Sequence, residues 1–291
     1  MKYAFYTGCA AKGATPELYV STRLVTQKLE MELVELKSAA CCGAGVITEA
    51  DPELAIALNA RTFALAEAEG LDLMTICGTC QGVMAQINKQ LKEDSELLKR
   101  INVYLEKEGL HYKGTVKVKH FLWILLDDIG VDRLKTYVTH PLRNLKIAPF
   151  YGCYILRPSS ALGYDDPNQP TSLETVIEAL GGEAVDYEGR NKCCGFPVIL
   201  ENPDIGLAMS GKRLEEAKTA RADVMVTPCP LCHMNLDLQQ ERVEKHIGKP
   251  FEMPVLHLPQ LAGLAMGFSP VDMQMMRHFV PVASLISKLQ T

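Results

Sequence analysis

The sequence has no run approaching the ~20 apolar residues that a membrane-spanning helix needs; the stretch Phe121 to Leu126 stops at Asp127-Asp128. It has no GxGxxG turn between a strand and a helix and no P-loop, so it brings no dinucleotide or nucleoside-triphosphate cradle of its own. The CxxCxxCxxxCP run of ferredoxin-type clusters is missing as well. Basic excess is also lacking: the net charge of −5 and pI near 5.8 speak against nucleic-acid binding. The opening residues Met1-Lys2-Tyr3-Ala4-Phe5-Tyr6 enter a strand-like segment without the pattern of a signal peptide, so the expectation is a cytoplasmic protein. A redox role for such a chain would require electrons from a partner.

What the chain does have is cysteine in a strict order. All ten cysteines fall into two sets of five, each reading Cys…Cys-Cys-Gly…Cys-x-x-Cys: Cys9, Cys41, Cys42, Cys77 and Cys80, then Cys153, Cys193, Cys194, Cys229 and Cys232. Between the adjacent pair and the final motif lie 34 residues in both halves; between the first cysteine and the pair lie 31 in one and 39 in the other. The chain is therefore two copies of one unit. Bridged cysteines hold their Cα atoms ~4.4–6.8 Å apart, whereas sequence neighbours sit only ~3.8 Å apart. Adjacent cysteines in a reducing compartment thus point to thiolates offered to a metal rather than to disulfides.

At 291 residues, with 47% hydrophobic and 22% charged residues, the chain is long enough for two cored domains, expected over 1–140 and 141–291. Strand and helix alternate in each half. Tyr3–Thr7, Glu32–Leu36 and Leu71–Ile76 read as strands in the first; 145–151, 184–187 and 224–227 read as strands in the second. Helices are expected over 16–30, 51–69, 81–109, 173–180, 202–220 and from Cys232 to about His246. Asp51-Pro52 and Asn202-Pro203 are matching helix starts, a capping side chain followed by proline at the first helical position. The repeat runs on through Val118-Lys119-His120-Phe121 and Val255-Leu256-His257-Leu258; His120 and His257 read as packing or capping groups. The fold class that follows is α/β: two pseudo-symmetric repeats, each a small parallel sheet flanked by helices. Ligands in such sheets gather beyond the carboxyl ends of the strands, where the cysteines fall.

A structural zinc or a cubane iron–sulfur cluster takes four protein ligands, and each half offers five. Either one cysteine per set is spare, or the group held is not a simple cubane. Iron–sulfur is the favoured reading, with a zinc-binding structural scaffold as the reading from another class.

The doubled Cys-Cys-Gly quintet resembles the CCG domain of the heterodisulfide reductase family, over residues 1 to about 265. The loop with Arg157-Pro158 and Asp165-Asp166-Pro167 is similar to that of its B subunits. The resemblance implies two non-cubane 4Fe-4S clusters, one on Cys9, Cys41, Cys42, Cys77 and Cys80 and one on Cys153, Cys193, Cys194, Cys229 and Cys232. It implies reduction of the disulfide CoM-S-S-CoB to coenzyme M and coenzyme B thiols in two one-electron steps. It also implies two partners, an iron–sulfur C subunit with a flavin A subunit, and a hydrogenase or formate dehydrogenase upstream. The alternative on the same fold is the iron–sulfur subunit of a lactate, glycolate, glycerol-3-phosphate or fumarate/quinone oxidoreductase.

An anionic substrate would need local cations, and the candidates beside the cysteines are Lys12, Arg157, Arg190 and Lys192. His233 is a candidate proton donor to a leaving thiolate. The segment Arg157 to Thr171 carries the second half's eight extra residues and is expected to be a surface loop or to shape access to the site. Asp127-Asp128 reads as a solvated helix end. The Met-rich stretch Pro270 to Leu289 is expected either to cover the protein's own core or to dock the iron–sulfur partner.

Overall fold

The computed structural model describes residues 1–289; positions 290 and 291, the end of the second expected domain, lie outside the described residues. The strands are β1 (Lys2–Tyr6), β2 (Glu32–Glu35), β3 (Leu73–Thr75), β4 (Val118–His120), β5 (Lys146–Pro149), β6 (Glu183–Ala184), β7 (Val224–Thr227) and β8 (Val255–His257). They form two wholly parallel sheets of identical order, β2-β1-β3-β4 and β6-β5-β7-β8. In register, Ala4 lies opposite Leu73 and Thr75 opposite His120; in the second sheet Ile147 lies opposite Val224 and Thr227 opposite His257. The inner strands are buried and apolar, as sheets covered on both faces must be: Ala4, Phe5, Leu73, Met74, Val224, Met225 and Val226 are fully enclosed. In each sheet the chain leaves the first strand, adds a neighbour on one side, then crosses to the other. This reversal sits at the carboxyl ends of β1 and β5.

The halves do not pack as separate bodies. The helix Leu258–Ala265, which follows β8, lies against the helix Pro16–Lys28 of the first half. The segment after β4, running through Phe121–Trp123 and a π-helical turn at Ile124–Gly130 into the helix Val131–Thr136, lies against the helix Ser172–Ala179 of the second. One apolar cluster therefore runs through both halves, joining Phe5, Leu18 and Val25 to Leu261 and Met273, and Trp123 and Leu134 to Leu173 and Ile177.

Local chemistry accounts for the helix boundaries, including those that differ from expectation. Asp51 and Asn202 cap their helices, accepting from Leu54 N at 3.0 Å and Ile205 N at 3.2 Å. The long helix expected over 81–109 is two, Gly78–Glu93 and Ser95–Leu105. Asp94 between them turns its carboxylate back to accept from the amides of Glu96 and Leu97, a stronger local choice than continuing the first helix. The helix after Cys229 likewise stops at Leu236 and restarts at Gln240, and at the break the Asp237 carboxylate accepts from Phe279 N and Val280 N. The strand expected over 184–187 is the short edge strand β6.

Asp127 and Asp128 are not merely solvated: Asp128 accepts from Tyr3 and Lys119, and Asp127 from Tyr164, tying the π-helical turn to both halves. The Met-rich stretch covers the core through Met273, Met275 and Leu285, while Met276 and Phe279 stay exposed.

Because Asp51 and Asn202 sit on separate, equivalent helices, Asp51→Ala and Asn202→Ala are each expected to lower stability by about 1 kcal/mol. The double variant should lose the sum. Urea unfolding reads this, and a loss confined to one site would show that the second cap is idle.

Candidate metal centre

Each quintet is assembled from the same places in its sheet. Cys9 and Cys153 follow the first strand, the Cys-Cys pairs follow the edge strand, and the two CxxC motifs follow β3 and β7. All ten cysteines are free thiols. In the first set Cys41 Sγ lies 3.8 Å from Cys9 Sγ, and Cys42 Sγ lies 3.4 Å from Cys80 Sγ, too far for S–S bonds. In the second, Cys153 and Cys194 lower the pKa of the Cys193 thiol, and Cys194 raises that of Cys232. Cys77 and Cys229, the first cysteines of the two CxxC motifs, shift each other's thiol pKa across the halves, Cys77 upward and Cys229 downward. Thr79 Oγ1 lies 3.3 Å from Cys229 Sγ. Gly78 N donates to Pro228 O at 3.0 Å, and His120 Nε2 lies 2.9 Å from the same oxygen.

The surroundings suit sulfur that carries charge. Gly43 N donates to Cys41 Sγ at 3.4 Å, Gly195 N to Cys193 Sγ at 3.3 Å, and Phe196 N to Cys194 Sγ at 3.4 Å. Cys77 caps the helix Gly78–Glu93 and Cys229 stands at the start of Pro230–Leu236, so the positive ends of both helices face the sulfurs. The adjacent pairs are held from behind. Asn59 Nδ2 donates to Cys42 O at 2.9 Å, and Ser210 Oγ and Asn235 Nδ2 donate to Cys194 O at 2.9 and 2.6 Å. Two glycines are required by geometry. At Gly152, with φ of +71°, a Cβ would stand 2.7 Å from Cys232 Sγ; at Gly195, with φ of +93°, it would stand 2.5 Å from Gly206 O.

Five packed thiols cannot all ionise by themselves. Cys41 and Cys193 fall far below the ordinary thiol range because neighbouring thiols donate to them. Cys9, Cys80, Cys153 and Cys232 are pushed up, chiefly because their hydrogen-bonded partner sulfurs hold the charge, with burial adding to it. Bound cations would relieve this crowding, so the donor set fits a polynuclear metal group with soft-ligand preference.

Other expected site residues lie elsewhere. Lys12 pairs with Glu35, and Arg190 with Glu174 and Asp186. Arg157 donates to Asn191 O and Pro167 O at 3.0 and 2.7 Å, pinning the long loop 157–171 onto the segment before the second pair. Lys192 is exposed. A chamber of about 210 Å³ opens onto Cys153, Cys194, Cys229 and Cys232, and none of these four cations is among its lining residues.

His233 is buried and stacks on His257 with ring centroids 3.8 Å apart; its Nε2 faces His278 Nδ1 at 3.3 Å. Burial holds the pKa of His233 and His257 well below the usual range and that of His278 down to about 4. His257 Nε2 lies 3.4 Å from Glu17 Oε1. Glu17 and His278 carry no motif, and only the fold brings them to His233. His120 caps the turn at Phe121, accepting from Leu122 N at 3.0 Å.

Fold and site together define a duplicated α/β protein with one thiol quintet per repeat. The chain belongs to the CCG cysteine-rich domain family, whose model matches residues 3–85 and 147–237. It is 36% identical to the membrane anchor subunit of the 8-methylmenaquinol:fumarate reductase of Wolinella succinogenes, over 98% of this chain and 99% of that one. It is 34% identical to the B subunit of the ferredoxin/F420H2-dependent CoB-CoM heterodisulfide reductase of Methanosarcina acetivorans, over 99% and 97%. It is also 34% identical to a protein of Archaeoglobus profundus described as like the heterodisulfide reductase B subunit, over 93% and 92%. A crystal structure of a hypothetical protein from Helicobacter pylori shares the fold, with a TM-score of 0.77 and 16% identity; it covers 97% of this chain, which spans 52% of that protein. No helix among the described residues is long and apolar enough to cross a membrane.

Gly152→Ala should cost the protein the metal of the second quintet alone, lowering total bound metal by about half, whereas Gly13→Ala, where a Cβ meets nothing within 4 Å, should leave it unchanged. Metal analysis per chain after anaerobic purification tests this; equal metal in both variants would show that the Cys232 sulfur is not a ligand.

Proposed function

We propose that the chain is the substrate-converting iron–sulfur subunit of a heterodisulfide-reductase-type complex, reducing a disulfide to two thiols with two electrons and two protons. The observation that carries this reading is the meeting of the two CxxC motifs, where Thr79 Oγ1 lies 3.3 Å from Cys229 Sγ and Gly78 N donates to Pro228 O, beside a chamber lined by four cysteines of the second set. Cys9, Cys41, Cys42, Cys77 and Cys80 would hold one non-cubane 4Fe-4S cluster, and Cys153, Cys193, Cys194, Cys229 and Cys232 the other. Such clusters, when bound, exchange one electron each, which matches the two electrons needed to split one S–S bond.

The chain's own groups hold and shield this arrangement. Asn59, Ser210 and Asn235 fix the Cys-Cys backbones, and the amides of Gly43, Gly195 and Phe196 stabilise charge on sulfur. Thr79 Oγ1, 3.3 Å from Cys229 Sγ at the chamber wall, is a hydroxyl placed to pass a proton to a departing thiolate. His233 is buried and packed against His257 and His278, so its place in this reading is structural and not that of a proton donor.

The electrons would come from an iron–sulfur C subunit with a flavin A subunit, fed by a hydrogenase or formate dehydrogenase, in the cytoplasm. CoM-S-S-CoB is the substrate that the heterodisulfide reductase relatives suggest. A quinol-linked reading is favoured by a different observation: the relative that acts with 8-methylmenaquinol is as similar along its full length.

Anaerobically purified protein should be brown and hold about eight irons per chain, two four-iron groups; a colourless protein loaded with zinc would sink the reading. Cys42→Ala and Cys194→Ala should each abolish disulfide-dependent oxidation of reduced methyl viologen. Full activity in either variant, or turnover with a menaquinone analogue and not with any disulfide, would transfer the assignment to the quinol-linked class.

A further inference from the structure

His233 enters a buried cluster that the proposed reaction does not use. Glu17, His233 and His257 are 5%, 3% and 1% exposed, and one ligand atom from each lies within 4.8 Å of the other two. The three come from distant segments. Glu17 belongs to the helix Pro16–Lys28 of the first half, His233 to the helix Pro230–Leu236, and His257 to the end of β8. His278 backs the set, with Nδ1 3.3 Å from His233 Nε2 and Nε2 3.1 Å from Gln260 Oε1.

The first repeat fills the same positions without such a cluster. In place of His233 it carries Gln81, which follows Cys80 and donates to Val118 O at 3.0 Å. In place of His257 it carries His120, which accepts from Leu122 N and faces Pro228 O at 2.9 Å. Backbone groups satisfy both. In the second repeat His257 Nε2 instead meets a carboxylate oxygen, Glu17 Oε1, at 3.4 Å. That is longer than the ~2.7–3.2 Å of an N–H···O hydrogen bond. It matches the ~3.3–3.4 Å between two ligands of a tetrahedral zinc ion bound at ~2.0–2.1 Å. Arg277 reaches only the other oxygen, Oε2, at 3.3 Å and is itself half exposed, so Oε1 is enclosed facing an imidazole and no guanidinium.

We infer that Glu17, His233 and His257 bind one zinc ion, at a third metal site distinct from the two quintets. Two imidazole nitrogens and a carboxylate oxygen are donors that zinc accepts, whereas the crowded thiols of the quintets suit softer, polynuclear groups. The ion neutralises the buried carboxylate and ties the helix Pro16–Lys28 of the first half to the residue that follows Cys232. The site does not depend on what the quintets hold.

The anaerobically purified full chain, incubated with one equivalent of zinc chloride and desalted, should hold about one zinc ion per chain beside the metal of its cysteines. X-ray absorption at the zinc edge should show nitrogen and oxygen neighbours at ~2.0–2.1 Å and no sulfur at ~2.3 Å. A sulfur shell, or no zinc retained, overturns the inference, and neither measurement requires a variant to fold. Glu17→Gln keeps the shape of the side chain and removes its charge, and should weaken zinc binding at least about tenfold. Cys42→Ala, in the other quintet, should keep its zinc while losing iron. Zinc held unchanged by Glu17→Gln, or lost with Cys42, overturns the inference as well. Iron is counted separately. Zinc bound by nitrogen and oxygen in a chain without iron supports the inference and sinks the iron–sulfur reading, whereas a full complement of iron without zinc does the reverse.

Discussion

Sulfur crowding is the interaction on which the structure turns. The thiols of each half are brought close enough to shift one another's charge, and the two sets meet where Thr79, beside Cys80, reaches Cys229. Left to itself, such an array holds only part of the negative charge it could carry, since each thiolate formed pushes its neighbours toward protonation. The parallel sheets make the array possible by ending their strands on one side, and the helix starts at Cys77 and Cys229 favour charge there. Sheet order, glycine placement and the Asn59, Ser210 and Asn235 contacts all serve to keep these sulfurs near one another.

Much of this was legible in the sequence because cysteine spacing and strand–helix alternation are local or repeated signals. The equal 34-residue intervals placed both CxxC motifs after equivalent strands, and β3 and β7 occupy equivalent positions in their sheets. Asp51 and Asn202 cap as read, since a cap needs only the residues beside it. Asp94 defeated the periodicity because a side chain that caps the next turn competes with an apolar stripe that runs straight through it. The helix break at Asp237 was harder still, for the amides that hold its carboxylate belong to Phe279 and Val280, some forty residues on.

The chamber was not legible at all. Val46, Glu49, Leu200 and Glu201 belong to no motif, and only folding brings them to one chamber. Proximity in sequence to a cysteine proved a poor guide to proximity in space. Arg157 stands four residues from Cys153 yet turns to the carbonyls of Pro167 and Asn191, and Arg190 is consumed by two carboxylates. Glu17, His257 and His278 meet around His233 from segments more than two hundred residues apart in the extreme case, a convergence that one-dimensional spacing does not encode.

The helix contacts between the repeats have a consequence for how the duplication can behave. Since Leu258–Ala265 lies against Pro16–Lys28 of the first half and 121–136 against Ser172–Ala179 of the second, cutting the chain between the repeats would strip an apolar face from each piece. The two sulfur nests are thus fixed to one shared frame, and thermal drift between them is damped as it is within one core. Two metal groups held by these nests would therefore keep a constant separation.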